Sequence, residues 1–395
     1  MAWKGQKYLL NRNMIIKVIL AFLLIVFSLS VHSNVLELKT PAKQTILYDH
    51  EVKKTLYEKN SKNLMKPASM AKIMTTYIVF DRLQEGSLNL NDKFVVSKNA
   101  WKKGGSRTFL KLNSEVSIEN LLRGLIVQSG NDAAIVLAEG ISGSEDDFSR
   151  QMNQYAISLG MKDTFFTNST GWPHDDLKTT AHDLLILTES LINNFPKLYN
   201  LFIEKEFTFN GIKQPNRNPL LVGRYKVPGA DGLKTGHTNE SGYGLIGSVK
   251  RNNRRITLII NGLKSMAQRG KESKRLIELA FRETHLLQLF ENNVVLTTAN
   301  VWLGNKSIVE LKAEKPFKTL VNRSSLRMIK TTLVWSDPIK APIQLGQKVG
   351  EINIEIPGRE LIKLNLVSKN KIEDLGPIDK LKSALNYLLF GGDLH

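Results

Sequence analysis

The spacing of apolar residues changes near position 286, and this change constrains the fold more than any other feature of the sequence. Before it, segments such as residues 118–139 carry apolar side chains at helical spacing, whereas residues 243–249 and 256–263 are β-type runs around a charged turn. After it, short alternating runs are separated by turn residues. The pattern predicts an α+β domain of residues 34–285 and a small all-β domain of residues 286–370, with a sandwich as one arrangement.

The first 33 residues have the order of charges and apolar residues that is typical of a secretory signal peptide. Four basic residues and no acidic residue precede an apolar run at residues 18–27, and small or polar residues follow. The run is shorter than the roughly 20 residues that a membrane span needs. We therefore expect residues 1–33 to be removed during export, with an uncleaved anchor helix as the alternative.

The last segment, residues 371–395, predicts an amphipathic helix. The helix begins at Pro377, a residue favoured at the first helical position, and Gly391-Gly392 would end it. Its apolar face consists of Ile378, Leu381, Leu385, Leu388 and Leu389. Two roles are open: a peripheral anchor at the membrane surface, which we favour, and a helix packed on its own domain.

The composition excludes several classes of protein. The chain has no cysteine, and its seven histidines include no His-Glu-x-x-His pair, so we expect neither a metal nor another cofactor. The formal charge of +18 indicates an anionic partner. Because export separates the chain from nucleic acid, and its basic residues are scattered rather than interleaved with aromatic ones, we expect a membrane or cell-wall surface instead.

A serine lies three residues before a lysine at the start of a predicted helix, in Pro67-Ala68-Ser69-Met70-Ala71-Lys72. This spacing places both side chains on one helical face, where an amine can activate a hydroxyl. The pattern alone is weak, because Ser368 and Lys371 repeat it at the end of a predicted strand.

Two further motifs follow in order. Ser129-Gly130-Asn131 lies between helical segments, but a short turn or helix cap would also explain it, and Ser-x-Asn begins again at Ser61, Ser97 and Ser368. Lys234-Thr235-Gly236 is the only Lys-[Ser/Thr]-Gly in the chain and precedes the predicted hairpin. On an edge strand it would present a cation, a hydroxyl and an uncrowded backbone to an extended peptide.

Together the three motifs are the active-site set of class A β-lactamases and penicillin-binding proteins, with Gly130 where the middle motif usually has Asp. Residues 55–60, 124–133, 205–211 and 231–242 also resemble the low-molecular-mass D-alanyl-D-alanine carboxypeptidases. The resemblance implies a penicillin-binding protein/β-lactamase-like transpeptidase domain of helices around an antiparallel sheet, then a β-rich domain and a C-terminal amphipathic anchor. It also implies an exported protein, peripheral on the periplasmic side of the inner (cytoplasmic) membrane.

The resemblance implies a role for each residue of the first two motifs. Ser69 would be the acylated nucleophile that attacks the bond between the two terminal D-alanines of a peptidoglycan stem peptide, and β-lactam antibiotics would acylate it as well. Lys72 would be its base, provided that burial lowers the lysine pKa enough to leave the amine neutral. Ser129 would pass a proton to the departing amine, and Asn131 would hold the substrate backbone and orient Lys72.

The third motif would bind the substrate. Lys234 and Thr235 would hold the terminal carboxylate, and Gly236 would leave the backbone uncrowded. The backbone amides of Ser69 and His237 would form the oxyanion hole, so the imidazole itself need do nothing.

Several questions remain open in the sequence. Arg217 and Arg269 match arginines that line the active-site region in relatives, although each could equally be a surface residue. Residues 168–172 stand where many relatives have a His-Gly-Leu run, which leaves the substrate preference undetermined. The β-rich domain could be a spacer, which we favour, or a docking module.

Three competing functions were weighed. A class A β-lactamase is disfavoured because no Glu-x-x-Leu-Asn loop lies between the second and third motifs. An endopeptidase that cuts D-alanyl cross-links would use the same nucleophile and stays possible. A non-catalytic wall-binding protein is disfavoured because it would have no reason to keep all of the motif residues.

Overall fold

The computed structural model describes residues 35–36 and 38–390. The predicted signal peptide, residues 1–33, lies outside this part of the chain, as do the glycines expected to end the last helix. None of the helices within the described ranges is long and apolar enough to cross a membrane.

The part of the chain up to Glu283 combines helices with an antiparallel sheet. Its strands are β1 (Gln44–Asp49), β2 (Lys54–Lys59), β3 (Lys93–Val95), β4 (Glu115–Ser117), β5 (Glu206–Phe209), β6 (Ile212–Pro215), β7 (Ala230–Thr238), β8 (Gly242–Arg251) and β9 (Arg254–Leu263). Its helices are α1 (Lys72–Gln84), α2 (Lys98–Lys102), α3 (Ile118–Val127), α4 (Asn131–Ser142), α5 (Glu145–Leu159), α6 (Ala181–Asn194) and α7 (Met266–Glu283). Five strands form the sheet in the order β2-β1-β9-β8-β7, which leaves β7 at an edge.

Helices cover both faces of this sheet, so two apolar cores form. Helices α1 and α6 pack against one face, with α3 and α4 packed on α1 in the same core, and α7 packs against the other face. Neighbouring residues of β9 point into different cores, Ile259 into the first and Leu258 into the second, as a pleated strand requires. The first nine residues of α1, Lys72 to Phe80, are all buried. The core therefore fixes the start of α1 beside β7.

The apolar segment of residues 118–139 forms two helices, with Ser129-Gly130-Asn131 at the junction where the sequence places it between helical segments. A turn separates α3 from α4, and in this turn Ser129 has a positive φ of 63°. The Asp132 carboxylate accepts hydrogen bonds from the backbone N–H groups of Thr108 and Leu110, which ties the start of α4 to a neighbouring loop. Apolar spacing continues on both sides of the break, so periodicity alone could not reveal it.

The chain after Glu283 is dominated by strands. They are β10 (Thr284–Leu289), β11 (Val295–Trp302), β12 (Ile308–Ala313), β13 (Phe317–Asn322), β14 (Lys330–Trp335), β15 (Ile339–Lys340), β16 (Lys348–Glu355) and β17 (Ile362–Ser368). Six form a sheet in the order β14-β16-β17-β12-β11-β15, and β10 pairs with β13. Val321 of the smaller sheet and Ile352 of the larger one lie in the same apolar core. The turn at Pro357-Gly358 joins β16 to β17.

Helix α8 (Pro377–Phe390) follows the β-rich part and begins at the predicted proline. The side chains of Ile378, Leu381 and Leu385, which share the predicted apolar face, are exposed. In the structure these three side chains are therefore not covered by the domain that precedes them.

Candidate active site

Ser69 lies in a single 3₁₀ turn, Ala68–Ala71, that leads directly into α1. Its neighbour Ala68 has a left-handed backbone with φ = 49°. Such a conformation costs energy for a residue with a side chain and is typical of functional sites. Lys72, the first residue of α1, is completely buried, and its Nζ lies 3.0 Å from Ser69 Oγ. The two side chains of the first motif are therefore in contact.

The amine of Lys72 has two further oxygen partners. It donates hydrogen bonds to Asn131 Oδ1 at 2.7 Å and to the backbone carbonyl of Thr170 at 2.6 Å. Sequence reasoning had paired Asn131 with Lys72 but had missed Thr170. A backbone carbonyl acts without regard to its own side chain, so no residue pattern could have shown this contact.

Burial is the main reason why the pKa of Lys72 falls to about 7. The positive charges of Arg217 and Lys103 act in the same direction, while Glu145 and Asp132 oppose them. An amine with such a pKa can take up and release a proton near neutral pH, as a general base must.

The second motif forms the turn between α3 and α4. Asn131, whose Oδ1 holds the lysine, also donates from Nδ2 to the carbonyl of Gly104 at 2.8 Å. Ser129 Oγ is buried and has no hydrogen-bond partner among the described residues. A buried hydroxyl of this kind is available to a ligand. A Cβ atom on Gly130 would lie 2.2 Å from Thr108 Oγ1, which explains why glycine stands where the motif usually has Asp.

The third motif lies on the edge strand β7. Lys234 and Thr235 are buried, whereas the His237 side chain is exposed. A Cβ atom on Gly236 would lie 2.8 Å from the carbonyl oxygen of Pro67. Glycine therefore lets β7 approach the turn that carries the serine.

Four cationic side chains gather near the nucleophile. Burial lowers the pKa of Lys234 well below its ordinary value, and the charges of Lys72, Arg217 and Arg269 lower it further. Burial likewise lowers the pKa of Arg269 to about 10. Arg217 Nη1 donates to Ser106 Oγ at 2.6 Å, which leaves its charge without a carboxylate partner at that contact. An anionic ligand would relieve the mutual repulsion of these groups.

A cavity of about 860 Å³, named here the arginine cavity, opens beside Ser69. Its lining includes Ser129, Thr235 and both predicted arginines, Arg217 and Arg269. The structure thus brings together residues that are far apart in the chain. Their combination of hydroxyl groups and cations suits a carboxylate.

The other sequence matches to the motifs have local structural roles. Ser97 caps α2 by accepting a hydrogen bond from the backbone N–H of Ala100, and Ser61 donates to Glu58. Ser368 lies at the end of β17, in the β-rich part. Within residues 35–36 and 38–390, no group of three or more carboxylate or histidine side chains is placed to hold a metal ion.

A buried lysine beside a helical serine, facing a Lys-Thr-Gly edge strand, defines the penicillin-recognising serine enzymes as a class. The sequence pattern of the D-alanyl-D-alanine carboxypeptidase family matches residues 31–265. That of the penicillin-binding protein 5 C-terminal domain matches residues 285–374. The chain therefore belongs to the D-alanyl-D-alanine carboxypeptidase family. It is a serine-type carboxypeptidase of cell-wall remodelling.

Individual relatives agree with this assignment. The D-alanyl-D-alanine carboxypeptidase DacC of Escherichia coli (strain K12) is 35% identical over 342 residues, which is 85% of each chain. The crystal structure of penicillin-binding protein 6B from Escherichia coli has a TM-score of 0.69 at 30% identity, covering 86% of this chain and 98% of that one. The ampicillin-bound form of penicillin-binding protein D2 from Listeria monocytogenes has a TM-score of 0.57 at 29% identity, covering 62% and 99%.

These comparisons confirm three predictions from the sequence. The family resemblance, the fold class and the enzyme class are all correct. The match of the β-rich part to a penicillin-binding protein domain also favours the carboxypeptidase over the β-lactamase.

Proposed function

We propose that Ser69 is the nucleophile with which this carboxypeptidase releases the terminal D-alanine from peptidoglycan stem peptides. The observation that carries the proposal is the environment of Lys72, whose Nζ is 3.0 Å from Ser69 Oγ while its other two partners are carbonyl-type oxygens. Such oxygens can only accept hydrogen bonds. A neutral amine would therefore direct its two hydrogens to Asn131 and Thr170 and its lone pair to the serine hydroxyl.

The reaction then runs through an acyl-enzyme. Ser69 Oγ attacks the carbonyl carbon between the two D-alanines while Lys72 takes the hydroxyl proton. The backbone amides of Ser69 and His237 stabilise the oxyanion, a contribution of roughly 3 kcal/mol per donor. The unpaired hydroxyl of Ser129 gives its proton to the departing D-alanine amine as the C–N bond breaks and takes up the proton held by Lys72, so that Lys72 is neutral again. Water then hydrolyses the ester bond to Ser69 and regenerates the free enzyme.

The cations determine which end of the substrate binds beside Ser69. A peptide with a free C-terminal carboxylate would place it in the arginine cavity, against Thr235 and the charges of Lys234, Arg217 and Arg269. Gly236 lets the edge strand lie close enough to pair with the peptide backbone. β-Lactam antibiotics, which also carry a carboxylate beside a reactive carbonyl, would bind in the same way.

Labelling with a fluorescent penicillin tests this proposal. We expect a covalent band in the wild-type protein and in Ser368→Ala, and none in Ser69→Ala, because the Ser69 hydroxyl contacts a lysine amine whereas the Ser368 hydroxyl contacts backbone groups. Release of D-alanine from a dipeptide-terminated substrate should follow the same order. A labelled Ser69→Ala protein, or an unlabelled but folded wild type, would refute the assignment.

We further propose that the protein acts at the periplasmic face of the inner membrane, held there by α8. The support is the exposure of Ile378, Leu381 and Leu385, which the β-rich part leaves uncovered. Burying such side chains in a membrane surface contributes about 1.5 kcal/mol or more each.

Sedimentation with vesicles of anionic phospholipid tests this location. The full mature chain should bind, and Leu381→Glu combined with Leu385→Glu should bind at least about tenfold more weakly. The matched change Lys380→Gln, on the same helix, should have a small effect. Equal sedimentation of all three proteins would contradict the anchor.

A further inference from the structure

A second cavity meets Ser69 and has a different chemistry from the arginine cavity. It has a volume of about 290 Å³ and is named here the tryptophan cavity. It is lined by Ser69, Gly105, Ser106, Asn131, Thr170, Gly171, Trp172, Pro173, His237, Thr238 and Asn239. These residues include no Asp, Glu, Lys or Arg, so an aromatic ring and neutral polar groups dominate the wall.

Trp172 combines a fixed backbone with an exposed side chain. Its N–H donates to Asn168 Oδ1 at 2.9 Å, and its carbonyl accepts from Asn168 Nδ2 at 3.0 Å. The side chain is nevertheless exposed, with 42% of the residue's surface accessible. An exposed indole on a backbone held in this way is pre-organised to contact a ligand.

The segment that carries Trp172 also holds the catalytic base. Thr170, two residues before the indole, supplies the carbonyl that accepts a hydrogen bond from Lys72. On the opposite side, a Cβ atom on Gly105 would lie 2.8 Å from Asn131 Nδ2 and 3.0 Å from the indole ring. The indole therefore packs against the same loop that contacts the catalytic asparagine.

Lys103 does not line the cavity itself but lies next to its tryptophan. Its Nζ lies 4.8 Å from the centroid of the Trp172 ring, in a cation–π arrangement. Its charge also reaches the active site, since it contributes to lowering the pKa of Lys72. A ligand lying along the indole would thus meet the cation of Lys103.

This inference rests on the proposed function. If that function holds, the two cavities receive different ends of the substrate. The C-terminal carboxylate is matched by the arginine cavity, because that cavity contains Arg217 and Arg269. The scissile carbonyl lies at Ser69, where both cavities meet. The part of the peptide that precedes the two D-alanines must then leave Ser69 through the tryptophan cavity.

We propose that Trp172 and Lys103 form a specificity subsite for the side chain of the residue that precedes the two D-alanines. The geometry favours a side chain with an aliphatic stem, which would lie on the indole, and a terminal carboxylate, which would approach Lys103. A side chain ending in a free amine would be disfavoured by the same lysine and by the lack of acidic residues in the lining. A short side chain such as that of alanine would not reach either group.

The test compares D-alanine release from acetyl-X-D-alanyl-D-alanine peptides in which X is alanine, lysine or Nε-succinyl-lysine. For the wild type, kcat/KM should be highest with the succinylated residue. Trp172→Ala should lower that value about tenfold, the usual range for loss of an aromatic anchor, and should change the value for the alanine peptide less than about twofold. Lys103→Gln should reduce the preference for the succinylated over the free lysine by about fivefold.

Matched variants separate a subsite from a general effect. Trp101→Ala removes an exposed tryptophan that does not line the cavity, and Lys102→Gln removes the lysine next to Lys103; neither should alter the ranking of the peptides. Equal losses on the alanine and succinyl peptides in Trp172→Ala would overturn the subsite while leaving the proposed function intact. A wild type that releases D-alanine from none of the peptides would overturn both.

Discussion

The chain contains a serine followed three residues later by a lysine in two places, and their surroundings differ. Ser69 lies in the turn that leads into α1, and Lys72 begins this helix, whose first nine residues are all buried. The lysine is completely buried, and its amine contacts the serine hydroxyl at 3.0 Å. The pair is therefore arranged for proton transfer between the two side chains.

The second pair, Ser368 and Lys371, lies at the end of β17. The Ser368 hydroxyl donates to the carbonyl of Gln344 and accepts from the backbone N–H of Gln347. Lys371 instead forms an ion pair with Glu373 at 2.9 Å, and both side chains are exposed. Here the serine stabilises a loop and the lysine stays in water.

The difference shows which physical quantity turns the pattern into a catalytic pair. Residue spacing is identical in the two places. At the first pair, however, the helical turn places the two side chains on one face, and burial is the main cause that lowers the pKa of Lys72 toward neutrality. Catalysis should therefore respond to changes at the first pair alone.

The largest expected effect comes from replacing the buried amine. Lys72→Gln should lower the rate constant for acylation by penicillin by about 10³-fold, because general base catalysis contributes about 10²–10⁴. The counterpart Lys371→Gln should leave this rate constant within about twofold, since an exposed ion pair contributes little. Stopped-flow or gel-based acylation kinetics would measure both. A Lys72→Gln protein that acylates almost as fast as the wild type would require a different base.

A smaller effect is expected on the free energy of unfolding, and here the substitution of Ser368 should have a larger effect than that of Ser69. Ser368→Ala should lower the free energy of unfolding by about 1–3 kcal/mol, because it removes two hydrogen bonds between the buried hydroxyl and the backbone of Gln344 and Gln347, each contributing about 0.5–1.5 kcal/mol. Ser69→Ala should change it by less than about 0.5 kcal/mol, since it removes only a contact with Lys72. Thermal unfolding of the two variants would make the comparison. A larger loss in Ser69→Ala would mean that the catalytic serine also supports the fold.

Much of the fold could be predicted because its determinants are local in the sequence. Helical spacing and the β8–β9 hairpin depend on residues that are neighbours in the sequence, and the structure contains both. The hydrogen bonds at the junction of α3 and α4 could not be predicted this way, because they join Asp132 to the backbone of Thr108 and Leu110 in a distant loop.

The residues of the candidate site also fall into a group that the sequence could predict and a group that it could not. The motif residues carry distinctive side chains, and the structure brings them together around Ser69. The carbonyl of Thr170 and the indole of Trp172 depend on where the chain passes in three dimensions, so residue patterns could not assign them a role. The assignment of roles to the motif residues stays a prediction that kinetics must test.

The most direct test of the central claim, that neutral Lys72 is the base for Ser69, is the pH dependence of acylation by penicillin. Because the pKa of Lys72 is lowered to about 7 and only the neutral amine can accept a proton, the rate constant should rise as the pH increases through 7. Below that value it should fall about tenfold per pH unit. Lys72→Gln should lose this inflection. A wild-type profile that is flat through pH 7, or an inflection that persists in Lys72→Gln, would contradict the account.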